Sequence, residues 1–597
     1  MVLRAVQLDT RAQRAPDEQR EQPFAHLDPL EQSVDRAGND LEVVRPARNE
    51  LIQAVVGEWA RVRGSRRTLC RALQQCAPSR QLQGGLHACV RSNQASAREH
   101  SDPLTQPVGC WTSRKRIRPV ITAIREVPLC FDGLRRSLCD NQAEAPAPAP
   151  PMSTRTEIKT LWGLALPIVA AQLGTMMLGV FDMIMLGHFD TQHLAGSAIG
   201  HVWIFGTMII AQGILLGADP RISQAHGAGN GERIGITLQA GLILGGLLCL
   251  PLAVAWWFTG EALHSMGVDP ELSQLAGRYA AVQIPGIPFL LGYCLLRSWL
   301  QGRGIMKPAM WIVLLANVLN AFVNWVLVFG HLGFEPLGIV GAGCATTLTQ
   351  AFMCLGLLLF VRVFRLQLNA WTRWSRLAWK ELRVTFKLGW PIGMQFAFEA
   401  WAFQLCTLMA ESLGTAALAS HAIALNLASI AFMVPLGISI GASKRVGNLI
   451  GAGQPAGAQL AAKSALLMGA AAMLLAAATF ILFSDQLPTL FNKDQAVVAA
   501  AAAILPIAGA FQLFDGLQVV AGGVVRGMGK TRVLAVTHFI AFYVVALPAA
   551  YYLAFERNMG LPGIWWGLCI GLGAVALWLC LWILRNGPAS LPPDVPS

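Results

Sequence analysis

Charged residues are scarce in this sequence of 597 residues, at 13% of the chain, whereas soluble domains carry about a quarter. This scarcity, together with 54% hydrophobic residues and a mean hydropathy of +0.48, excludes an ordinary soluble protein. After Met152, apolar segments of about 20 residues follow one another to Arg585, and each is long enough to span roughly 30 Å of hydrocarbon. Because only helices or closed barrels satisfy backbone polar groups in lipid, we predict an all-α polytopic membrane protein.

Sequence motifs for metal, nucleotide and peptidase chemistry are also lacking. No two of the six cysteines before Met152 are spaced as CxxC, which argues against a zinc site. The stretch GMGKT at 527–531 is not a phosphate-binding loop, because Val524 stands where that motif requires glycine. No HExxH motif occurs. We therefore expect no cofactor, no enzymatic activity and no use of ATP as the energy source.

Residues 1–151 differ from the rest of the chain. They hold scattered arginines, lack helical periodicity and run into the Pro/Ala-rich stretch APAPAPPM, and no apolar segment follows a basic start as a signal peptide would require. We expect either that translation begins at Met152 or that 1–151 is a disordered extension. This region supplies much of the net charge of +12, so the total indicates no nucleic-acid partner. The expected domains are a first six-helix lobe at 152–366, a cytoplasmic linker at 367–386, a second six-helix lobe at 387–585 and a disordered tail at 586–597.

Twelve membrane helices are predicted, and the loops between them alternate in charge. Basic residues concentrate in every second loop, for example at Arg373, Arg376 and Lys380, whereas the other loops are poor in basic residues. The positive-inside rule therefore places both termini in the cytoplasm, which agrees with an even number of helices. The predicted spans are approximately 161–184, 195–218, 235–258, 275–300, 309–329, 339–362, 387–410, 416–441, 459–483, 496–525, 533–555 and 562–584.

The two halves of the membrane region resemble each other. The segment GADPRISQAHGAG at 217–229 aligns with GASKRVGNLIGAG at 441–453, and the same difference in residue number pairs Pro167 with Pro391. We call this constant difference the repeat offset. Six helices per half give both repeats the same orientation, as in parallel-repeat transporters, whose binding sites lie near the bilayer midplane. We therefore predict two six-helix parallel repeats.

Glu399 stands in the apolar run GMQFAFEAWAF, twelve residues from Lys387 and twelve from Glu411. At about 1.5 Å per residue it lies about 18 Å from either end of its helix. A charged acid at this depth costs about 2.5–3.5 kcal/mol, which protonation, pairing or a bound cation would reduce. Gln395 precedes it by one turn and shares its face. A protonated glutamate bonded to another helix is the structural alternative, but ionisable residues at this depth are functional candidates by default.

Two further acids lie inside predicted helices. Asp515 is as deep as Glu399 and has Gln512 three residues before it, whereas Asp182 is closer to the outer end of the first helix. Asn320 and Asn324 are four residues apart and share a helical face. Amides between membrane helices often only join the helices, but together with Asp182 these two would also form a cation site.

Several segments after Met152 occur in a characteristic order: GVFDMIMLGH, AHGAGN, LQGRGIMKPAM, FAFEAWAF, LGTAALASHAIALN, SKRVGNLIGAG and FDGLQVVAGGVVRGMG. In these segments the chain resembles the multidrug and toxic compound extrusion (MATE) family, in its NorM-like branch. The resemblance implies two lobes around a V-shaped cavity and exchange of Na⁺ or H⁺ for cationic drugs or metabolites. By the same resemblance, the acids of the C-terminal lobe correspond to Glu399 and Asp515, and the acid and asparagines of the N-terminal lobe to Asp182, Asn320 and Asn324.

We therefore predict a secondary antiporter in a bacterial inner membrane, acting as a monomer on small organic cations. Na⁺ or H⁺ would neutralise Glu399, Asp515 or Asp182, so that the substrate loses its counter-charge and leaves, with Gln395 and Gln512 as supporting polar groups. Na⁺ at Glu399 and Asp515, and Na⁺ at Asp182 with the two asparagines, both remain open.

Some NorM proteins carry a tyrosine where this chain has Phe511. Phenylalanine lacks the oxygen that could bind Na⁺, which weakens the case for Na⁺ beside Asp515. The alternatives are a lipid-precursor flippase, which would favour a cationic cavity, and an intramembrane enzyme.

Overall fold

Twelve long helices account for most of the described chain. This computed structural model describes residues 153–364, 366 and 377–590; the extension 1–151 and the residues from 591 onward lie outside them. Eleven of the helices are long and apolar enough to cross a membrane, and Leu377–Ser412, which carries Glu399, is a further helix of 36 residues. The helices are α1 Thr154–Phe189, α2 Thr191–Gly227, α3 Gly231–Trp257, α4 Pro270–Gly302, α5 Lys307–Phe329, α6 Ile339–Val363, α7 Leu377–Ser412, α8 Thr415–Gly451, α9 Pro455–Leu482, α10 Gln495–Gly527, α11 Arg532–Glu556 and α12 Leu561–Ser590.

The prediction of an all-helical membrane protein is confirmed, and no strand occurs among the residues that the structure describes. Two details were not predicted. A short helix, Thr259–Ser265, follows α3. Helix α11 also contains two π-helical stretches, Ile540–Ala546 and Tyr552–Glu556.

Polar side chains mark where several helices begin. The Asn230 side chain accepts a hydrogen bond from the Arg233 N–H at 3.0 Å and caps α3, and the Asp494 carboxylate caps α10 in the same way. Gly229 and Gly453 follow α2 and α8, are related by the repeat offset, and both have φ +68°. Glycine adopts this left-handed conformation without a steric penalty, so the repeat extends to the turns after these helices.

Some helices extend beyond the apolar runs that predict them. Helix α1 begins at Thr154 rather than near 161, and α8 continues to Gly451 rather than to about 441. Helix α7 begins at Leu377, within the segment 367–386 that the sequence assigns to a linker. These extensions hold Glu157, Arg445 and Glu381, and each of these charged side chains has a partner, which stabilises helix beyond the purely apolar run.

The packing follows the internal repeat. In the first half α5 packs against α1 and α6, and α4 packs against α2, α3 and α6; in the second half α10 packs against α8, α9 and α12. Between the halves, α1 contacts α8, and α2 contacts α7. Since α7 and α8 are the repeats of α1 and α2, the two contacts correspond to each other. We call the end of the bundle where α1 and α7 begin and α2 and α8 end the basic end.

Candidate functional site

Glu399 on α7 and Asp515 on α10 share one hydrogen-bond donor. The side-chain amide nitrogen of Gln518 donates to Glu399 Oε1 at 2.8 Å and to Asp515 Oδ1 at 3.3 Å. Gln518 lies one turn after Asp515 on α10, so the same helix presents both groups to α7. The two acids predicted for the second half therefore belong to one network, which we call the C-terminal acid pair.

His538 of α11 adds an imidazole to this pair. Its Nδ1 lies 2.8 Å from the Leu534 carbonyl oxygen, and its Nε2 lies 3.1 Å from Gln518 Oε1 and 3.8 Å from Glu399 Oε2. Gln395 lies beside the same Nε2 at 3.3 Å. His538 gives no signal in the sequence, where it is an isolated histidine in an apolar stretch, and only the packing of α11 against α7 brings it here.

The two predicted supporting glutamines have different surroundings. Gln395 contacts His538 and accepts from Arg526 Nη1 at 3.5 Å, and so lies next to the acid pair. Gln512 donates to the Ala428 carbonyl oxygen at 3.2 Å, which joins α10 to α8. Phe511 packs edge-on against Phe403 and Trp565 and is 2% exposed. Of the side chains flanking Asp515, Gln518 is therefore the one that contacts both acids.

The acid pair is deeply buried but not sealed. Asp515 is 5% exposed, and Gln518 and His538 are fully buried, whereas the Glu399 side chain keeps 16% of its surface exposed. Two carboxylates beside one donor repel each other when both are ionised, so a proton or a cation stabilises the pair. Glu399 is therefore the more exposed member of the pair.

In the first half, Asp182 lies in a network of neutral donors. Its Oδ1 accepts hydrogen bonds from Asn324 at 2.6 Å and Asn320 at 3.2 Å, and its Oδ2 accepts from the Thr346 hydroxyl at 2.8 Å. The structure thus brings together the three predicted residues of α1 and α5, and adds Thr346 from α6. We call these four residues the Asp182 network.

One oxygen of the Asp182 network has no partner. Asn324 is fully buried, and its side-chain oxygen makes no hydrogen bond in the described part of the chain. A buried amide oxygen beside a carboxylate is a ligand that a hard cation prefers. No cluster of three or more His, Cys, Asp or Glu side chains suited to a metal ion occurs within 153–364, 366 and 377–590. A cation here would therefore bind through one carboxylate and neutral oxygens.

One stretch of α8 matches a hydrolase motif in its sequence but not in its structure. Gly437–Gly441 reads GISIG, the G-x-S-x-G pattern, which places a nucleophilic serine on a sharp turn after a strand. Ser439 instead lies within the continuous helix α8, donates to the Val519 carbonyl oxygen at 2.6 Å and accepts from Arg526 at 2.8 Å. The Ser439 hydroxyl therefore connects α8 to α10.

Comparison with known proteins assigns this architecture to a family. The family model described as MatE matches residues 167–326 and 391–552, two segments whose first residues are related by the repeat offset. The chain belongs to the MatE family. Its resemblance to MATE proteins is thus confirmed, and it is a membrane transporter of the MATE type and not an enzyme.

Curated relatives of the chain include bacterial and vertebrate members of the family. The multidrug resistance protein NorM of Burkholderia vietnamiensis is 34% identical over 454 residues, which are 74% of this chain and 97% of that protein. The multidrug resistance protein PmpM of Pseudomonas aeruginosa is 33% identical over 74% of this chain and 94% of its own length. The multidrug and toxin extrusion protein 1 of Xenopus tropicalis is 30% identical over 73% of this chain and 75% of its own length.

Solved structures support the fold. The crystal structure of the eukaryotic MATE transporter AtDTX14 superposes with a TM-score of 0.69, at 24% identity, over 73% of this chain and 97% of that one. The Asp35→Asn mutant of the Vibrio cholerae MATE transporter VcmN gives a TM-score of 0.66 at 18% identity over 72% of this chain and 97% of its own. At these identities the likeness shows the shared fold.

Proposed function

We propose that this transporter is a secondary antiporter that exports small organic cations, including drugs, in exchange for Na⁺ or H⁺. The observation that carries the proposal is the presence of one buried carboxylate network in each half, the C-terminal acid pair and the Asp182 network. Ionised acids at such depth attract cations and cost free energy when left empty. An inorganic ion and an organic cation would therefore compete for them.

The exchange is driven by neutralisation. When Na⁺ or H⁺ reaches Glu399 or Asp182, the acid no longer offers a counter-charge, and the organic cation leaves. Each charge that moves down a potential of 100 mV supplies about 2.3 kcal/mol, which is enough to drive concentrative export. Rigid-body movement of one six-helix half against the other would expose the acids to alternate sides of the membrane.

The orientation follows from the charge of the loops. Basic side chains such as Arg303, Lys307, Arg532 and Lys530 lie at or beside helix ends at the basic end. By the positive-inside rule this end faces the cytoplasm, with both termini on that side of a bacterial inner membrane. The relatives named NorM are bacterial, which supports this location. We propose a monomer, since each half already holds its own acid network.

The central test replaces the carboxylates by their amides. Glu399→Gln and Asp515→Asn keep the size of each side chain and remove its charge, so export should fall to the level of cells without the protein while its amount in the membrane stays unchanged. The measurement is efflux of ethidium and norfloxacin from bacteria that lack their own main exporters. Glu411→Gln, an exposed acid near the end of the same helix α7, is the matched control and should export normally.

Normal efflux by both amide variants would show that the carboxylates do not carry transport. The coupling ion requires a separate measurement on purified protein in proteoliposomes. A Na⁺ gradient and a pH gradient are imposed one at a time, and substrate flux is recorded. Flux that follows neither gradient would contradict the antiport mechanism.

A further inference from the structure

Three ion pairs join the two halves at the basic end. Among residues 153–364, 366 and 377–590, every ion pair between a carboxylate and Lys or Arg has one partner in each half. Their nitrogen–oxygen distances are 2.5–2.7 Å, and the carboxylate side chains are at most 11% exposed. The pairs are Glu157–Arg445, Arg221–Glu381 and Asp219–Lys444.

Two of these pairs are exchanged copies of each other. The repeat offset relates Glu157 to Glu381, and it also relates Arg221 to Arg445. In both pairs the arginine binds the carboxylate in the two-pronged manner, with Nε at 2.6 or 2.7 Å and Nη2 at 2.9 Å. The arginine of each half therefore binds the glutamate of the other half. Both pairs form only where the two halves are in contact.

The backbones of α2 and α8 seal the same end. The last segment of α2, Ala218–Gly227, packs against α8. A Cβ atom on Gly227 would collide with the Asn448 carbonyl oxygen, and one on Gly451 would collide with the Gln224 carbonyl oxygen. These two contacts are again related by the repeat offset, so glycine allows the helix ends to meet closely around the ion pairs.

Arg526 connects this end to the acid pair. Its side chain is 5% exposed, donates to Ser439 and Gln395, and interacts electrostatically with Glu399 in its own half and with Asp219 in the other. A change of charge at Glu399 therefore acts on a cation that also interacts electrostatically with Asp219 and Lys444.

We propose that the three pairs Glu157–Arg445, Arg221–Glu381 and Asp219–Lys444 are the cytoplasmic gate of the transporter, closed in this structure and broken when substrate enters. The inference rests on the proposed function, because a gate implies alternating access. The charged groups are buried only while the halves touch, so opening must separate each charge from its partner and hydrate it. Loss of one partner makes the closed state less favourable, whereas an exchanged pair preserves it.

The test measures access to the interface. Ser223, fully buried where α2 meets Gly447, is replaced by cysteine and labelled with a membrane-impermeant maleimide in inverted vesicles. Arg221→Glu should raise the labelling rate of this cysteine at least tenfold, and the double variant Arg221→Glu with Glu381→Arg should return it to within threefold of the parent. The same chain with Ser223 intact measures labelling of the native cysteines.

A control and a second test variant complete the experiment. Arg532→Glu reverses an exposed charge at the same end and should not change the labelling rate. Glu381→Gln keeps the shape and removes only the charge, so it carries the test if the reversed variant is not recovered in membranes. Labelling at the parent rate in the single variants, or equal rates in the single and exchanged double variants, would overturn the gate. Because labelling needs neither drug nor ion gradient, this result is independent of whether cations are exported.

A second measurement distinguishes a gate, which opens during transport, from ion pairs that stay closed throughout transport. Glu157→Cys and Arg445→Cys are joined by a cleavable bifunctional thiol reagent, and substrate flux is measured before linking, after linking and after cleavage. The gate predicts that linking stops the flux and that cleavage restores it. Flux that continues through the linked protein would show that the pair never opens.

Discussion

Asp182 allows the charge of a buried acid to be separated from its hydrogen bonds. Its two oxygens accept from three side chains, those of Asn320, Asn324 and Thr346. Replacement by asparagine keeps one oxygen and removes the charge, whereas replacement by leucine removes both oxygens at similar size. The asparagine variant therefore tests the loss of the charge, and the leucine variant tests the loss of the charge together with the hydrogen-bond acceptors.

The expected changes in stability follow from counting partners. In Asp182→Asn the remaining oxygen still accepts from the two asparagines, and the new amide group faces the Thr346 hydroxyl, which also accepts hydrogen bonds. We expect the free energy of unfolding to change by less than about 1 kcal/mol. In Asp182→Leu the fully buried amides of Asn320 and Asn324 lose this acceptor. At about 1–3 kcal/mol for an unsatisfied group, the Asn320 amide accounts for a loss of about 1–3 kcal/mol. The Asn324 amide adds less, because it still donates to Asn320 Oδ1 at 3.2 Å.

Thermal unfolding of the purified protein in detergent measures this difference. A change of 1 kcal/mol moves Tm by about 2–4 °C in chains of 150–250 residues and by less in longer ones. We expect a decrease of several degrees for the leucine variant and no more than about 2 °C for the asparagine variant. Both variants should lose the part of the stabilisation by the coupling ion that comes from binding at Asp182, since both lack the charge.

Asn317→Leu provides the matched control on α5. The Asn317 amide donates to the Gly174 and Val313 carbonyl oxygens, at 2.8 and 2.9 Å, and does not contact Asp182. This variant should lower Tm and keep ion-dependent stabilisation. Equal decreases in Tm for the asparagine and leucine variants of Asp182 would refute the partner count. Unchanged flux and ion response in Asp182→Asn would refute a role for its charge.

Two further predictions concern single contacts. Gln518→Leu removes the donor that Glu399 and Asp515 share, so efflux should fall at least tenfold at unchanged membrane abundance; normal efflux would mean that the shared donor does not matter for transport. Gly227→Ala places a methyl group against the Asn448 carbonyl oxygen, so the halves should meet less closely and Tm should fall by several degrees. An unchanged Tm would show that the basic end tolerates the added volume.

Much of the fold could be predicted because it depends on local properties of the chain. The length of each apolar run predicts a membrane helix regardless of its neighbours, and the repeat offset predicts that the halves share one arrangement. The apolar runs do not predict the ends of α1, α7 and α8, because these ends hold Glu157, Glu381 and Arg445, whose partners lie in the other half.

The candidate sites could likewise be predicted from the sequence only in part. Asn320 and Asn324 could be grouped from the sequence because four residues return to the same face of a helix. Gln512 and Gln518 are each three residues from Asp515, and local geometry treats them alike. Only the position of α7 beside α10 decides that Gln518 contacts Glu399 while Gln512 joins α10 to α8.

The sequence by itself determined that this chain lies in the bilayer as two related sets of helices with acids at depth, because hydrophobic length, repeat and charge are properties of consecutive residues. The tertiary structure alone decided which side chains surround those acids and that arginines and glutamates are exchanged between the halves. Such contacts join residues 119–288 positions apart, and their existence depends on how the helices pack.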